Sequence, residues 1–330
     1  MTRDQHIEDE RSHVEIGVEV DGRKGRLGFE ELKAGGFIKQ RQRDLFTIRC
    51  RCPGGMVSAE RLRKIAEVAE RFGKGYVHLS VRQSVEIPYV HYRDFGPVVE
   101  ELRASGQEVA SCGPRVRVPT ACAGCEYNPN GLTDCQALAR MVDERFFGRP
   151  CNHKFKISFS GCPIDCFRTS EMDLGFQGAA LPAWSEESCI GCSLCAEACK
   201  EGAIEASEDG KPIYSPEKCI YCADCIRVCP TSSWRAEKVG HVVRVGGKHG
   251  RHPLKGSVIA RFLPDELVPE VIEKTLDWYR ARGEGKGRIR IGTLLQEGDN
   301  MHDYMAFMQE TLGEFGSAEP PPPEPVDILR

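Results

Sequence analysis

The chain has 330 residues, a formal net charge of −4 and 17 cysteines, with 40% hydrophobic and 28% charged residues. This is the composition of a globular protein of about two domains, not of a disordered chain, and its near-neutral balance argues against a nucleic-acid binder. No apolar run approaches the roughly 18 residues of a membrane span, and the polar stretch 1–11 lacks the apolar centre of a secretory signal; a cytoplasmic, reducing setting is expected, where clustered cysteines point to metal before disulfides.

Residues 1–40 are polar and Gly-rich. A strand is predicted over 45–52, turned by Pro53-Gly54-Gly55. Ser58 then caps an amphipathic helix over 59–72, with Leu62, Ile65, Ala66 and Ala69 on one face. Strands over 76–82 and 85–90 and a helix over 95–104 complete a β-α-β-β-α order, that of a ferredoxin-like half domain assigned to 1–111. From Cys112 a loop rich in Cys, Gly, Pro and Asn runs to Gly131. A helix over 132–147 leads to a strand over 154–160 and then to Gly161-Cys162-Pro163-Ile164-Asp165-Cys166. Residues 184–235 hold eight of the 17 cysteines and look inserted into a second, α/β domain made of 112–183 and 236–317. Strands over 241–245 and 257–262 and a helix over 264–280 resume that domain. The Pro/Glu-rich end, 318–330, reads as a solvated, flexible polyproline tail. The expected fold class is α+β.

The inserted block carries Cys189-x2-Cys192-x2-Cys195-x3-Cys199 and then Cys219-x2-Cys222-x2-Cys225-x3-Cys229-Pro230. This is the bacterial two-cluster ferredoxin pattern, in which the fourth Cys of each run ligates the other cluster. A cubane needs four thiolates aimed inward, and a tight turn supplies three. One [4Fe-4S] cluster is therefore assigned to Cys189, Cys192, Cys195 and Cys229, and the other to Cys219, Cys222, Cys225 and Cys199. Zinc is the competing metal, but it is usually met by two Cys pairs and not by two such quartets. The block moves electrons.

Outside the block, the segments Arg49-Cys50-Arg51-Cys52-Pro53-Gly54-Gly55, Leu79-Ser80-Val81-Arg82-Gln83, Cys122-Ala123-Gly124, Gly131-Leu132-Thr133-Asp134, Lys154-Phe155-Lys156 and Cys162-Pro163-Ile164-Asp165-Cys166 resemble the sirohaem-dependent sulfite and nitrite reductases. The inserted ferredoxin and the short length are most similar to catalytic subunits of anaerobic sulfite reductases, with dissimilatory sulfite reductase subunits next. The resemblance implies sirohaem and a further [4Fe-4S] cluster coupled to it through one shared thiolate, three clusters in all. It implies an anion pocket of Arg49, Arg117, Lys154 and Lys156, with Arg82 pairing with sirohaem carboxylates. At about 4 Å and an effective dielectric near 20, one cation gains roughly 4 kcal/mol per unit anionic charge before desolvation, so a local group can hold a dianion despite the net charge. Lys can also donate protons during S–O cleavage. A row of solvated surface charges is the bland alternative. Lys154 and Lys156, two apart on a predicted strand, share a side.

Of the ligands this family uses for the coupled cluster, Cys162 and Cys166 match one pair, with Cys166 at the bridging position. Cys122 matches the first of the other pair, but the second falls on Asn128, a poor iron ligand. Cys125 is the expected replacement and Cys135 its rival. Cys50, Cys52, Cys112, Cys135 and Cys151 are otherwise read as buried thiols. The implied reaction is reduction of sulfite to sulfide with electrons from a separate donor protein or subunit. Nitrite reduction to ammonia, or an electron-transfer subunit with a degenerate sirohaem site, are the alternatives. Pairing with itself or with a related chain is expected.

Overall fold

The computed structural model describes the backbone of residues 16–326, apart from 21, 22 and 28, and the side chains from Leu32 to Val326. The reading of 1–11 lies outside the described residues. The chain forms two compact units, Met1–Val118 with Phe147–Pro150, and Pro119–Phe146 with Cys151–Arg330.

In the first unit a hairpin of β1 (Ile16–Val20) and β2 (Arg23–Leu27) precedes a four-stranded antiparallel sheet. Its strands are β3 (Phe37–Lys39), β4 (Leu45–Arg49), β5 (His78–Leu79) and β6 (Val85–His91), in the order β3-β4-β6-β5. The helices Ala59–Phe72 and Phe95–Ala104 lie where the hydrophobic period puts them, and the Arg61 N–H donates to Ser58 Oγ at 3.2 Å as an N-cap bond. The inward face of the first helix is Ile65, Val68 and Ala69, packed with Ile48, Ile87, Val98 and Leu102. Leu62 and Ala66, expected on that face, are exposed, because both lie at one edge of a buried stripe centred on Ile65. The predicted strand over 76–82 shrinks to His78–Leu79, since a turn closes from Ser80 to Ser84 with Gln83 in a left-handed conformation.

The second unit is built on a five-stranded sheet in the order β14-β12-β9-β8-β7. Its strands are β7 (Thr120–Ala121), β8 (Ile157–Ser160), β9 (Leu174–Trp184), β12 (Trp234–Val245) and β14 (Ser257–Leu263). β7, β8 and β9 run parallel, and β9-β12-β14 antiparallel. Phe159 stacks on Phe176 across β8 and β9 at 5.1 Å, and Tyr279 of helix Val268–Gly283 lies against Phe155.

β9 and β12 form one long ribbon whose last pair is Trp184 opposite Trp234. Residues 185–233 are therefore the connection between the two strands of this ribbon. It holds the helices Leu194–Ala198 and Asp224–Val228 and a hairpin of β10 (Ile204–Ala206) and β11 (Pro212–Tyr214). Cys195, Ile204, Cys225 and Trp234 form its small core.

Three local expectations change. Helix 132–147 starts at Cys135, because Asp134 Oδ1 accepts the Ala137 N–H at 2.9 Å. Strand 154–160 starts at Ile157. The Pro-rich tail is exposed over most of its described length but is tied to the fold: β15 (Glu324–Pro325) pairs with β13 (Leu254–Lys255), Ser257 Oγ donates to the Pro321 carbonyl, and Gln296 donates to that of Pro323. Prolines lack N–H donors but keep carbonyls, and these hold the tail down. No described helix is long and apolar enough to cross a membrane.

Candidate functional site

In the second unit two cysteine loops are zipped together backbone to backbone. The Cys122 N–H donates to the Phe159 carbonyl at 3.1 Å, and the Leu132 N–H to that of Gly161 at 2.7 Å. The Gly161 N–H donates to Cys122 Sγ at 3.0 Å, joining loops 39 residues apart in sequence. Glycine is required for this approach, because a Cβ on Gly161 would lie 2.8 Å from the Gly124 Cα. Gly124 itself has φ +58°, where a side chain is strained.

Around these loops lie the cysteines expected for the coupled cluster. Cys162 is buried, while Cys166 and Cys125 are exposed on their loops. Cys122 Sγ accepts from the N–H groups of Gly124 and Gly161, and the Cys135 thiol lies 3.9 Å away. The Cys135 hydrogen bond, reinforced by those two N–H groups, pulls the Cys122 thiol down to about 6 against its partial burial. Cys135 is pushed upward by the same bond and by burial. Burial likewise raises Cys162, opposed by a backbone N–H and the Arg227 charge. Asn128 is spent on its own turn, its Oδ1 accepting the Asn130 N–H at 3.0 Å. The loop of Cys162 is held from behind: Arg244 donates to Gln177 Oε1 at 2.7 Å, and Gln177 donates to the Pro163 carbonyl at 3.0 Å.

Within the block the two cysteine runs fold as near copies. Tyr221 N–H donates to Cys219 Sγ and Ala203 N–H to Cys199 Sγ, both at 3.3 Å. Burial pushes Cys222 up to about 11 and Cys225 to about 12. Among the described residues no three His, Cys, Asp or Glu side chains crowd tightly enough for a single metal ion; a cubane spreads its thiolates over separate corners. N–H donors aimed at sulfur beside small hydrophobic walls are an environment that suits iron–sulfur ligation.

The candidate cations fall in both units. In the first, Arg49 is committed to Glu86, with Nε at 2.7 Å and a terminal nitrogen at 2.6 Å, while its other nitrogen reaches Cys112 Sγ at 3.2 Å. Arg82, in the turn after β5, donates to the Val118 carbonyl at 2.6 Å. Arg117 donates to the carbonyls of Ser111 and Gly113, leaving a buried Nε with no acceptor among the described residues. A carboxylate or oxyanion is the kind of partner that would satisfy it.

In the second unit Lys154 and Lys156 flank a fully buried Phe155 and precede the strand on which they were expected. The Lys156 N–H donates to Asp173 Oδ2 at 2.8 Å, and Arg290 grips the same carboxylate at 2.8 and 2.6 Å. Around this buried pair gather His153, Lys154, Lys248 and Arg288. Burial first, then Lys154, Arg290 and Arg288, depress His153 to about 4, and burial with Arg290 lowers Lys248. Sequence reasoning missed Asp173, Arg288 and Arg290; the alternation Arg288-Ile289-Arg290 is the signal that was there to read.

Comparison with known proteins places the chain in a family. Residues 112–299 match the nitrite and sulphite reductase 4Fe-4S domain, and residues 38–105 the nitrite/sulfite reductase ferredoxin-like half domain. The chain belongs to the sirohaem-type nitrite and sulfite reductase family. It is 36% identical over 276 residues to the coenzyme F420-dependent sulfite reductase of Methanocaldococcus jannaschii, covering 83% of this chain and 43% of that protein. It is 30% identical to a subunit of the anaerobic sulfite reductase of Salmonella typhimurium, covering 80% of this chain and 82% of that one. The crystal structure of dissimilatory sulfite reductase I shares the fold, with a TM-score of 0.67 at 20% identity over 83% of this chain and 70% of that one. The chain thus spans less than half of the F420-dependent enzyme but most of the Salmonella protein. Members of this nitrite and sulfite reductase family are iron–sulfur oxidoreductases; the N–H-lined cysteines fit iron–sulfur ligation, and the Arg117 donor fits a carboxylate-bearing cofactor or an oxyanion.

Proposed function

We propose that the chain catalyses the six-electron reduction of sulfite to sulfide, using sirohaem and three [4Fe-4S] clusters. The observation that carries this reading is the Gly161 N–H bond to Cys122, which clamps the two cysteine loops of the family into one cluster-ready site. Sirohaem would supply an iron at which the sulfur of sulfite is bound and reduced. The chain supplies the rest. Cys122, Cys125, Cys162 and Cys166 would hold the coupled cluster, Cys166 being exposed on its loop. Arg82 and Arg117 bind carboxylate or oxyanion groups. Lys154 and Lys156 hold the dianion and deliver protons to departing oxygens, and Asp173 with Arg290 fixes the backbone from which Lys156 projects. Arg49 keeps its place in this set oriented by Glu86.

The block is the electron relay: Cys189, Cys192, Cys195 and Cys229 hold one of its clusters and Cys199, Cys219, Cys222 and Cys225 the other. An electron-donor protein feeds it, and the working unit pairs this chain with itself or with a related chain; the Salmonella relative is itself named as one subunit of its enzyme. The sulfite dianion suits two lysines and two arginines better than the singly charged nitrite does. The test is excision of residues 185–233 across the Trp184–Trp234 pair with a short linker. Sirohaem binding should persist while turnover with a protein donor collapses, and sulfite should outcompete nitrite in the intact chain. Full donor-driven activity without the block would remove it from the path.

A further inference from the structure

The two cysteine runs of the block share one backbone but face different surroundings. Gly191 and Tyr221 occupy the same place in their runs, and both are left-handed, with φ 67° and 66°. Ser193 and Ala223 repeat the match at 61° and 67°. The turn therefore demands a left-handed residue, which glycine supplies freely and tyrosine only against steric resistance. A strained tyrosine persists where its surroundings hold it.

Those surroundings are the central sheet. The Tyr221 carbonyl accepts the Ala180 N–H of β9 at 3.0 Å. Its ring stands edge-on to Phe262 of β14, centroids 4.9 Å apart, with the Arg261 guanidinium 5.9 Å from the ring. Phe262 is itself left-handed, at φ 57°. Six residues on, Arg227 donates to the Asn130 carbonyl at 3.1 Å, in the loop that follows Cys122 and Cys125, and is steadied by Asp224 at 2.5 Å. A cavity of about 210 Å³ has Cys162 and Pro163 on one side and Cys199, Cys222 and Arg227 on the other. The turn of the first run instead lies against the block itself: a Cβ on Gly191 would meet Asp209 of the block's own hairpin turn at 2.4 Å, and Ile190 beside it is 67% exposed.

We infer that Tyr221 and Arg227 are positioning residues that dock the Cys219–Cys225 run against the Cys162 loop, so that the cluster of Cys199, Cys219, Cys222 and Cys225 is the inner relay and that of Cys189, Cys192, Cys195 and Cys229 the outer, donor-facing one. This rests on the reading of the block as the electron path. Each step moves one electron: a low-potential one-electron donor is oxidised at the outer cluster, which passes the electron to the inner cluster, and the inner cluster is reoxidised as the coupled cluster is reduced.

The test uses the anaerobic holoprotein and two readouts: power saturation of the EPR signals of the reduced block clusters, and the rate at which the reduced methyl viologen radical reduces the sirohaem. A cluster near the paramagnetic sirohaem iron relaxes faster. Cys222→Ser should remove the fast-relaxing signal and Cys192→Ser the slow one. Tyr221→Gly fits the backbone, so it should keep full iron and sulfide; the fast-relaxing signal should saturate at several-fold lower power and sirohaem reduction should slow about tenfold. Tyr221→Phe should behave as the wild type, and Arg227→Lys should retain more of the rate than Arg227→Met. Loss of the fast signal in Cys192→Ser would reverse the order and overturn the inference. Wild-type relaxation and rate in Tyr221→Gly, with Cys222→Ser slow, would overturn the docking role while leaving the block on the path. Wild-type rates in both would overturn the docking role and the path together.

Discussion

The Cys135 thiol lies 3.9 Å from Cys122 Sγ, buried at the start of the helix Cys135–Phe146. This is hydrogen-bonding contact between the two sulfurs. In the ligand set proposed above the fourth iron falls to Cys125, on a loop fixed by its N–H bond to the Thr133 carbonyl, with Cys135 as its rival. Cys125→Ser should therefore lose the coupled cluster and Cys135→Ser keep it. Adding Asn128→Cys to Cys125→Ser should restore it in part, since the family position is regained. Mössbauer spectra of the three proteins decide; an intact coupled cluster in Cys125→Ser contradicts the assignment.

Replacing Lys154 by Met, or Arg117 by Ala, should cut sulfite turnover on the order of 10²-fold or more, because proton delivery and electrostatic stabilisation commonly contribute that much. Sirohaem occupancy, read from the absorption spectrum, should survive the lysine change. Near-normal kinetics in both variants would return these residues to the solvated surface.

The Asp173–Arg290 pair is buried, and breaking such a pair from one side strands a charge. Arg290→Met should destabilise the protein by about 3–5 kcal/mol, read as a lower denaturant midpoint at unchanged slope. It should also raise the KM for sulfite, because the Asp173 that holds the Lys156 backbone loses its anchor. A variant as stable as the wild type would show that the pair is incidental.

His153 has its pKa depressed in the folded state to about 4. Between about 6.5 and 4 the unfolded chain binds a proton that the folded chain refuses, so this residue makes stability fall as pH falls through that window. His153→Gln should flatten the slope of melting temperature against pH there and leave it unchanged above pH 7. An unaltered slope would show that the histidine does not titrate below its usual range.

Much of this was legible in the residues because the relevant signals are local. Ser58 and the period of 59–72 place a helix, and the Cys-x2-Cys-x2-Cys runs announce clusters without any tertiary information. What was not legible depends on distant partners. β9 contains Gly175, Gly178, Ala179 and Ala180 and alternates poorly, because it is buried on both faces and must admit other backbones closely. Arg290 is 117 residues from the aspartate it grips, and neither spacing nor composition ties such a pair. Leu62 and Ala66 show the limit of the helical period, which gives a stripe but not its width. The prolines of 318–325 promised a free segment because the carbonyls that anchor it carry no sequence signature.

Whether this chain reduces sulfite at a tetrapyrrole is read most directly from the absorption spectrum of protein purified anaerobically from a host that makes sirohaem, taken before and after sulfite and followed by sulfide determination. The expected result is a tetrapyrrole spectrum that shifts on sulfite addition, with sulfide formed once a low-potential reductant is supplied. Protein that carries its iron–sulfur clusters but no tetrapyrrole, or that binds one and yields no sulfide, would contradict it.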